Sequence, residues 1–239
     1  MPIDLLDVVE NYQGYHWQIE AIKELESMMD PRLKRDDSPW VKTWRREGYD
    51  PEISSGIITP ELLERITGYP ASSFDYVFCE DFNLMLDFTA FDSYLGPFQM
   101  LMANLLHESA GFKYMKEIDP GEYLEFRSDL GNCHKGDGPL FRGCGPLQVT
   151  GRYAFQRFYE WLKEFRGIDD PRIMELGTDY VADVYPFQIA ISWIEDNNLL
   201  DVCLHEGFEA CCVKINGGYN GWEDRKAWYA VCKREIIEL

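Results

Sequence analysis

Helix-ending signals recur along this chain from about residue 57 to its end, and they direct it toward a fold of many short helices. Thr59-Pro60-Glu61-Leu62 offers an N-cap followed by proline at the first helical position, and Gly68-Tyr69-Pro70 closes the helix it opens. Pro97 opens an apolar run through Phe98, Leu101, Leu105 and Glu108. Arg152 to Arg166 is aromatic-rich and stops at Gly167. Further helices are expected from Pro186 to Asp196, ending at Asn197-Asn198, and from Phe208 to Ile215, ending at Asn216-Gly217-Gly218. A last one runs from Glu223 to Ile237. Strand signals are confined to a short hairpin at Tyr123–Gly131 and a piece at Leu147–Val149. The expected class is mainly α, with a small β/loop element between helices.

Residues 1–56 differ in character and are expected to form an N-terminal helical accessory segment and linker. Trp17 to Met29 is an amphipathic pattern with Ile19, Ile22, Leu25 and Met28 on one face, Asp30-Pro31 ends it, and Gly48 to Gly56 is linker-like. Residues 57–239 form the main domain. No internal repeat or low-complexity tract interrupts it.

Bulk numbers exclude several function classes. A formal net charge of −19 removes the counterion-release term that favours polyanions, so nucleic acid is not an expected partner. No apolar run approaches the ~20 residues of a membrane span. Met1-Pro2-Ile3-Asp4 begins without a basic or long apolar leader, so the chain is expected in the cytoplasm of the cell that makes it. Seven cysteines without a CxxC are expected to be reduced and mostly buried, and the four histidines show no zinc-ligand spacing. No metal, no cofactor and a monomer are the expectations. The aromatic content of 15% suits a groove that stacks on sugar rings.

Chemistry concentrates between residues 105 and 151. On the helix after Pro97, helical spacing puts Glu108 on or near the apolar stripe at the helix's C-terminal end. Burial and the negative end of the helix dipole both favour a protonated carboxyl there, as a general acid requires. Glu125 lies in the following polar loop, where an ionised carboxylate can face a water. Two carboxyls set apart with water between them make the inverting arrangement of glycoside hydrolysis. Glu117, Asp119, Glu122 and Asp129 are rivals to Glu125 in the same loop, and spacing alone does not choose among them. Gly143 and Gly145 allow close backbone approach. Gln148 and Thr150, alternating on a short strand, would point to one face.

These residues together resemble glycoside hydrolase family 19, the chitinase and phage-endolysin family with a lysozyme-like fold. The matching pieces are Ile58-Thr59-Pro60-Glu61-Leu62, His107-Glu108-Ser109-Ala110-Gly111-Phe112, Asp129-Leu130-Gly131-Asn132, Gly136-Asp137-Gly138, Phe141 to Arg152 and Ile215 to Gly221, in the family's order over roughly residues 57–239. The resemblance implies a two-lobed helical domain with its small β/loop element lining a cleft. It implies that Glu108 is the general acid, Glu125 the general base, and Thr150 a residue that helps position the water. Gln148 and Asn216 would contact sugar and its N-acetyl group, Arg225 would lie near the acidic pair, and His107 and Tyr123 complete the expected substrate contacts. The implied reaction is metal-free cleavage, with inversion, of β-1,4 bonds next to N-acetylglucosamine. Peptidoglycan, cut by an endolysin-type enzyme, is the first expected substrate. A chitinase on N-acetylglucosamine polymers and a catalytically weak glycan-binding relative are the alternatives. The chain departs from the family where Cys144 replaces an arginine, Ala154 an asparagine, and Leu124 and Phe126 a tyrosine and a glycine.

Overall fold

The computed structural model describes residues 56–239, so the helix expected at Trp17–Met29 lies outside the described residues. Among the described residues the regular structure is helical throughout. Helix α1 (Pro60–Thr67) begins where Thr59 Oγ1 accepts the Leu62 N–H at 3.2 Å. It ends where Gly68, at φ 75°, donates its N–H to the Glu64 carbonyl at 2.8 Å. Helix α2 (Tyr76–Phe88) is capped by Asp75 Oδ1 on the Phe78 N–H. Helix α3 (Leu95–Glu108) starts ahead of Pro97, leaving the proline in the first turn, where its missing N–H breaks no helical bond.

Helix α3 is the centre of the fold. Phe98, Leu101, Met102, Ala103, Asn104, Leu105 and Leu106 are all buried, so burial runs around the helix rather than along one stripe. The short α4 (Asp137–Leu140) and α5 (Arg152–Arg166) follow, the latter closed by Gly167 at φ 65°. Then come α6 (Arg172–Val184), α7 (Gln188–Asp196), α8 (Leu199–His205), α9 (Gly207–Asn216) and α10 (Trp222–Glu235). Helices α8, α9 and α10 pack on α3, α1 packs on α10, and α5 packs on α6 and α7, while α2 joins α7. Phe82 stacks on Phe187 at 5.0 Å, and both Phe78 and Phe82 meet Phe112 edge-on. This aromatic cluster ties α2 and the start of α7 to the turn that follows α3, which fixes where α3 ends. Each such ring pair adds about 0.5–1.5 kcal/mol beyond area burial.

Inside α6 the chain kinks at Gly177 (φ 57°, ψ −139°). A Cβ there would stand 2.0 Å from the Leu140 carbonyl oxygen, so only glycine lets α6 lie against the end of α4.

The expected β element is not present. Among the described residues there is no β-strand, only two isolated antiparallel bridges, Lys116 with Cys144 and Cys144 with Val149. Tyr123–Gly131 forms two 3-10 turns, Glu122–Leu124 and Ser128–Leu130, instead of a hairpin. The reason is backbone geometry: Gly121, Phe126 and Gly131 all take positive φ, which interrupts any extended run every few residues. Leu147–Val149 is held by one reciprocal pair of bonds between Cys144 and Val149, and Gln148 at φ 52° breaks the alternation that would have aligned it with Thr150. No helix among the described residues is long and apolar enough to cross a membrane. All seven cysteines are free, with Cys133 exposed and the others buried.

Candidate functional site

Glu108 is the last residue of α3, next to the fully buried Leu105 and Leu106, and its side chain is 18% exposed. Ser109 ends the helix by folding its hydroxyl onto the Leu105 carbonyl (2.6 Å) while accepting the Phe112 N–H (2.8 Å). The carboxylate does not face the core alone. Arg225, from the first turn of α10 and only 1% exposed, donates Nη2 to Glu108 Oε1. Its Nη1 donates to Asn104 Oδ1 at 2.6 Å and its Nε to the Asn220 carbonyl at 3.3 Å. Asn104 lies one helical turn before Glu108 and is fully buried, so a single guanidinium fork joins two consecutive turns of α3. A buried arginine without such partners would be strongly destabilising.

The preceding residue on each helix is paired as well. His107 Nδ1 lies 2.6 Å from Asp224 Oδ2, at a more exposed position. Neighbours 107–108 on α3 therefore meet neighbours 224–225 on α10, one pair toward solvent and one toward the core. Asn216 ends α9, half-buried, and the turn after it carries Asn220, which accepts from Arg225.

A second set of residues gathers around Glu117. The Tyr123 hydroxyl donates to Glu117 Oε1 at 2.5 Å, and the Gly143 N–H donates to Glu117 Oε2 at 2.7 Å. Burial of the hydroxyl and the Glu117 carboxylate beside it push the Tyr123 phenol up to about 12, although the residue as a whole is 59% exposed. Gln148 shares this corner. A Cβ on Gly143 would stand 2.6 Å from Gln148 Oε1 and 3.2 Å from Glu117 Oε2. Gln148 Nε2 donates to the Tyr114 carbonyl (3.3 Å) and the Gly145 carbonyl (3.0 Å), while the Tyr114 N–H donates to the Ser109 carbonyl (3.0 Å). The Ser109–Tyr114 turn thus connects the Gln148 corner to the end of α3. The Thr150 hydroxyl donates to the Gln148 carbonyl at 2.8 Å.

Glu125 stands in a third environment. Oε1 accepts the Gly136 N–H at 2.7 Å and Oε2 accepts the Gly138 N–H at 2.8 Å, so both oxygens brace the turn that starts α4. In the same turn, Asp137 is buried and pairs with Arg152 through two bonds of 3.0 and 2.5 Å. Arg152 and the His134 N–H hold its carboxyl down at about 2. Cys144 is fully buried, and burial pushes its thiol up.

The structure thus brings His107, Glu108 and Arg225 together through two adjacent pairs, His107 with Asp224 and Glu108 with Arg225. It places Tyr123, Gln148 and Thr150 around the corner at Glu117, where Tyr123 alone of the three bonds to its carboxylate. Glu125 braces the Gly136–Gly138 turn. Asn104 and Asp224 were not singled out from the sequence. Asn104 at i−4 from Glu108, and Asp224 beside Arg225, were the available signals. Among the described residues no group of three or more His, Cys, Asp or Glu side chains is set to hold a metal ion.

No protein-family model matches the chain. Among solved structures, a crystal structure of a chitinase C mutant superposes with a TM-score of 0.54 at 15% sequence identity. The match covers 78% of this chain and 96% of that one. At that identity the likeness speaks for the fold alone: this chain shares the mainly α helix packing of that structure.

Proposed function

We propose that this chain is a glycosidase that cleaves β-1,4 bonds next to N-acetylglucosamine, with chitin-type N-acetylglucosamine polymers as its substrate class. The observation that carries the reading is the Glu108 carboxyl at the end of the central helix, held by the buried Arg225 in a fold shared with a chitinase. The net charge of −19 supports a neutral polymer over peptidoglycan, whose lactyl carboxylates would be repelled.

In this mechanism protonated Glu108 gives its proton to the glycosidic oxygen as the C1–O bond breaks. Arg225 engages Oε1, so Oε2 is the oxygen that carries the proton. A second carboxylate takes a proton from water as the water oxygen bonds to C1 from the opposite face, and the anomeric configuration inverts. Two carboxylates compete for that role, and each has both oxygens in hydrogen bonds. Glu125, the one the family resemblance implies, accepts the Gly136 and Gly138 N–H groups, and Glu117 accepts the Tyr123 hydroxyl and the Gly143 N–H. Glu117 differs in sharing a corner with Gln148 and Tyr123, both expected substrate contacts. We favour Glu117.

The deciding experiment is a parallel digest of soluble chito-oligosaccharides and purified peptidoglycan by the wild type, Glu108→Gln, Glu117→Gln and Glu125→Gln, with mass spectrometry and anomer-resolved NMR of the products. Release of shortened chito-oligosaccharides as α-anomers by the wild type and not by Glu108→Gln is the expected result. Muropeptides alone would move the substrate to the cell wall, and products from neither polymer would leave a glycan-binding protein.

A further inference from the structure

The segment that follows Glu125 carries a feature that neither packing nor the acid–base pair explains. Glu125 (φ −61°, ψ 135°) and Phe126 (φ 57°) are the central residues of a turn closed by the Arg127 N–H on the Leu124 carbonyl at 3.3 Å. This is type II geometry, whose third position demands positive φ and is ordinarily filled by glycine or asparagine. A phenylalanine there is strained by its Cβ. No core burial offsets that strain, because Phe126 is 64% exposed.

The surroundings hold the turn in place against its strain. Glu125 is fastened to Gly136 and Gly138, Asn132 Nδ2 donates to the Leu124 carbonyl (3.0 Å), and the Asn132 N–H donates to the Arg127 carbonyl (3.0 Å). Arg127 is further locked to Asp129 by two bonds of 2.8 and 2.6 Å. The same loop presents Tyr123, its hydroxyl fixed on Glu117 and its ring exposed. Tyr153, 60% exposed, lies against Gly131 at the loop's end, where a Cβ would be 2.5 Å from the ring. Three exposed aromatic rings thus lie on or against the loop that bears both candidate bases. An aromatic face held rigidly in water, at the expense of backbone strain, suits the apolar C–H face of a pyranose ring.

We propose that Phe126 is a sugar-stacking residue of the candidate site, taking one pyranose ring of a β-1,4-linked N-acetylglucosamine chain. This rests on the glycosidase reading above.

The test is Phe126→Gly beside Phe126→Trp, each also made in the Glu108→Gln background. Thermal melting, titration of chitohexaose and steady-state kinetics are the readouts. Glycine relieves the strain, so its melting temperature is expected to hold or rise. Its chitohexaose Kd and KM are expected to weaken about tenfold, equivalent to about 1.4 kcal/mol, with kcat falling far less. Phe126→Trp is expected to keep wild-type binding. Unchanged Kd and KM in a stable Phe126→Gly would overturn the stacking role while leaving the hydrolase reading intact. A wild type that binds chitohexaose through Phe126 without cleaving it would do the reverse. Failure of the Glu108→Gln protein to bind chitohexaose at all would overturn the stacking role as well.

Discussion

Arg225 meets Glu108 across 117 residues of sequence, and the guanidinium is the more deeply buried partner. The pair is asymmetric: Glu108 has access to water and Arg225 has almost none. Removing the carboxylate would leave an uncompensated charge inside the protein, held only by Asn104 and the Asn220 carbonyl.

Arg225→Met is therefore expected to destabilise the fold less than Glu108→Leu. Loss of one partner of a buried pair costs about 3–5 kcal/mol, and the lower end applies where the remaining group can rehydrate, as Glu108 can. Arg225→Lys is expected to recover only part of the loss, since an ammonium cannot reach Asn104 and Glu108 together as a fork does. Urea unfolding midpoints of the three variants check the order.

Glu117 and Glu125 are expected to separate by turnover rather than by stability. Each glutamine variant leaves one of two donors without its acceptor, Tyr123 or Gly143 at position 117 and Gly136 or Gly138 at position 125, and should cost about 1–3 kcal/mol of stability. Glu117→Gln should in addition lower turnover by about 10²–10⁴-fold, the usual worth of a general base, while Glu125→Gln keeps most of it. Initial rates on chito-oligosaccharides and melting temperatures, measured on the same preparations, check this. Abolished turnover in Glu125→Gln with turnover retained in Glu117→Gln would return the base to Glu125.

Asp137 gives the protein an acid-sensitive contact. Arg152 and the His134 amide hold its carboxyl at about 2 in the folded protein, against an ordinary 3.8. A depressed carboxyl stabilises the fold fully above its ordinary value, and that contribution fades as pH falls from about 4 toward about 2. The shift corresponds to about 2 kcal/mol. Asp137→Asn should therefore be less stable than wild type at pH 7, and the gap should close by pH 2. Denaturant titrations at both pH values measure it.

Gly177→Ala should be among the most damaging small substitutions. Its backbone lies outside the conformations open to alanine, costing about 1–3 kcal/mol, and the new methyl would also meet the Leu140 carbonyl. A melting temperature equal to wild type would contradict this.

Where local chemistry decides a boundary, the sequence was a sufficient guide. Thr59 and Gly68 mark the ends of α1, Gly167 ends α5, and Asn216-Gly217 ends α9, because caps and left-handed glycines act within a few residues. Helices α2 and α6 were not read from it. The half-buried Phe78 and the buried Phe82, among other apolar residues in α2, blur the amphipathic period, and Gly177 interrupts the pattern of α6. The hairpin expected at Tyr123–Gly131 failed because the positive φ of Phe126, a residue that rarely adopts it, is imposed by bonds from Glu125 and Asn132. At the site, helical spacing locates Glu108 at the end of the apolar run of α3, and the family resemblance is what singles it out. Glu117 stood among equal rivals, because what distinguishes it is Gly143 and Gln148, which arrive from another part of the chain.

Helix α10 is where the partner of Glu108 resides. During synthesis the chain is made from its N-terminal end, so α1 and α3 are made before α10, on which both pack, and before Arg225 exists. Contacts between such distant positions also form late, after the loop between them has been closed. Through that whole interval Glu108 has no guanidinium beside it. The setting of the proposed acid thus waits on a contact between two distant parts of the chain, and a protein cut short before Gly221 would lack that setting entirely.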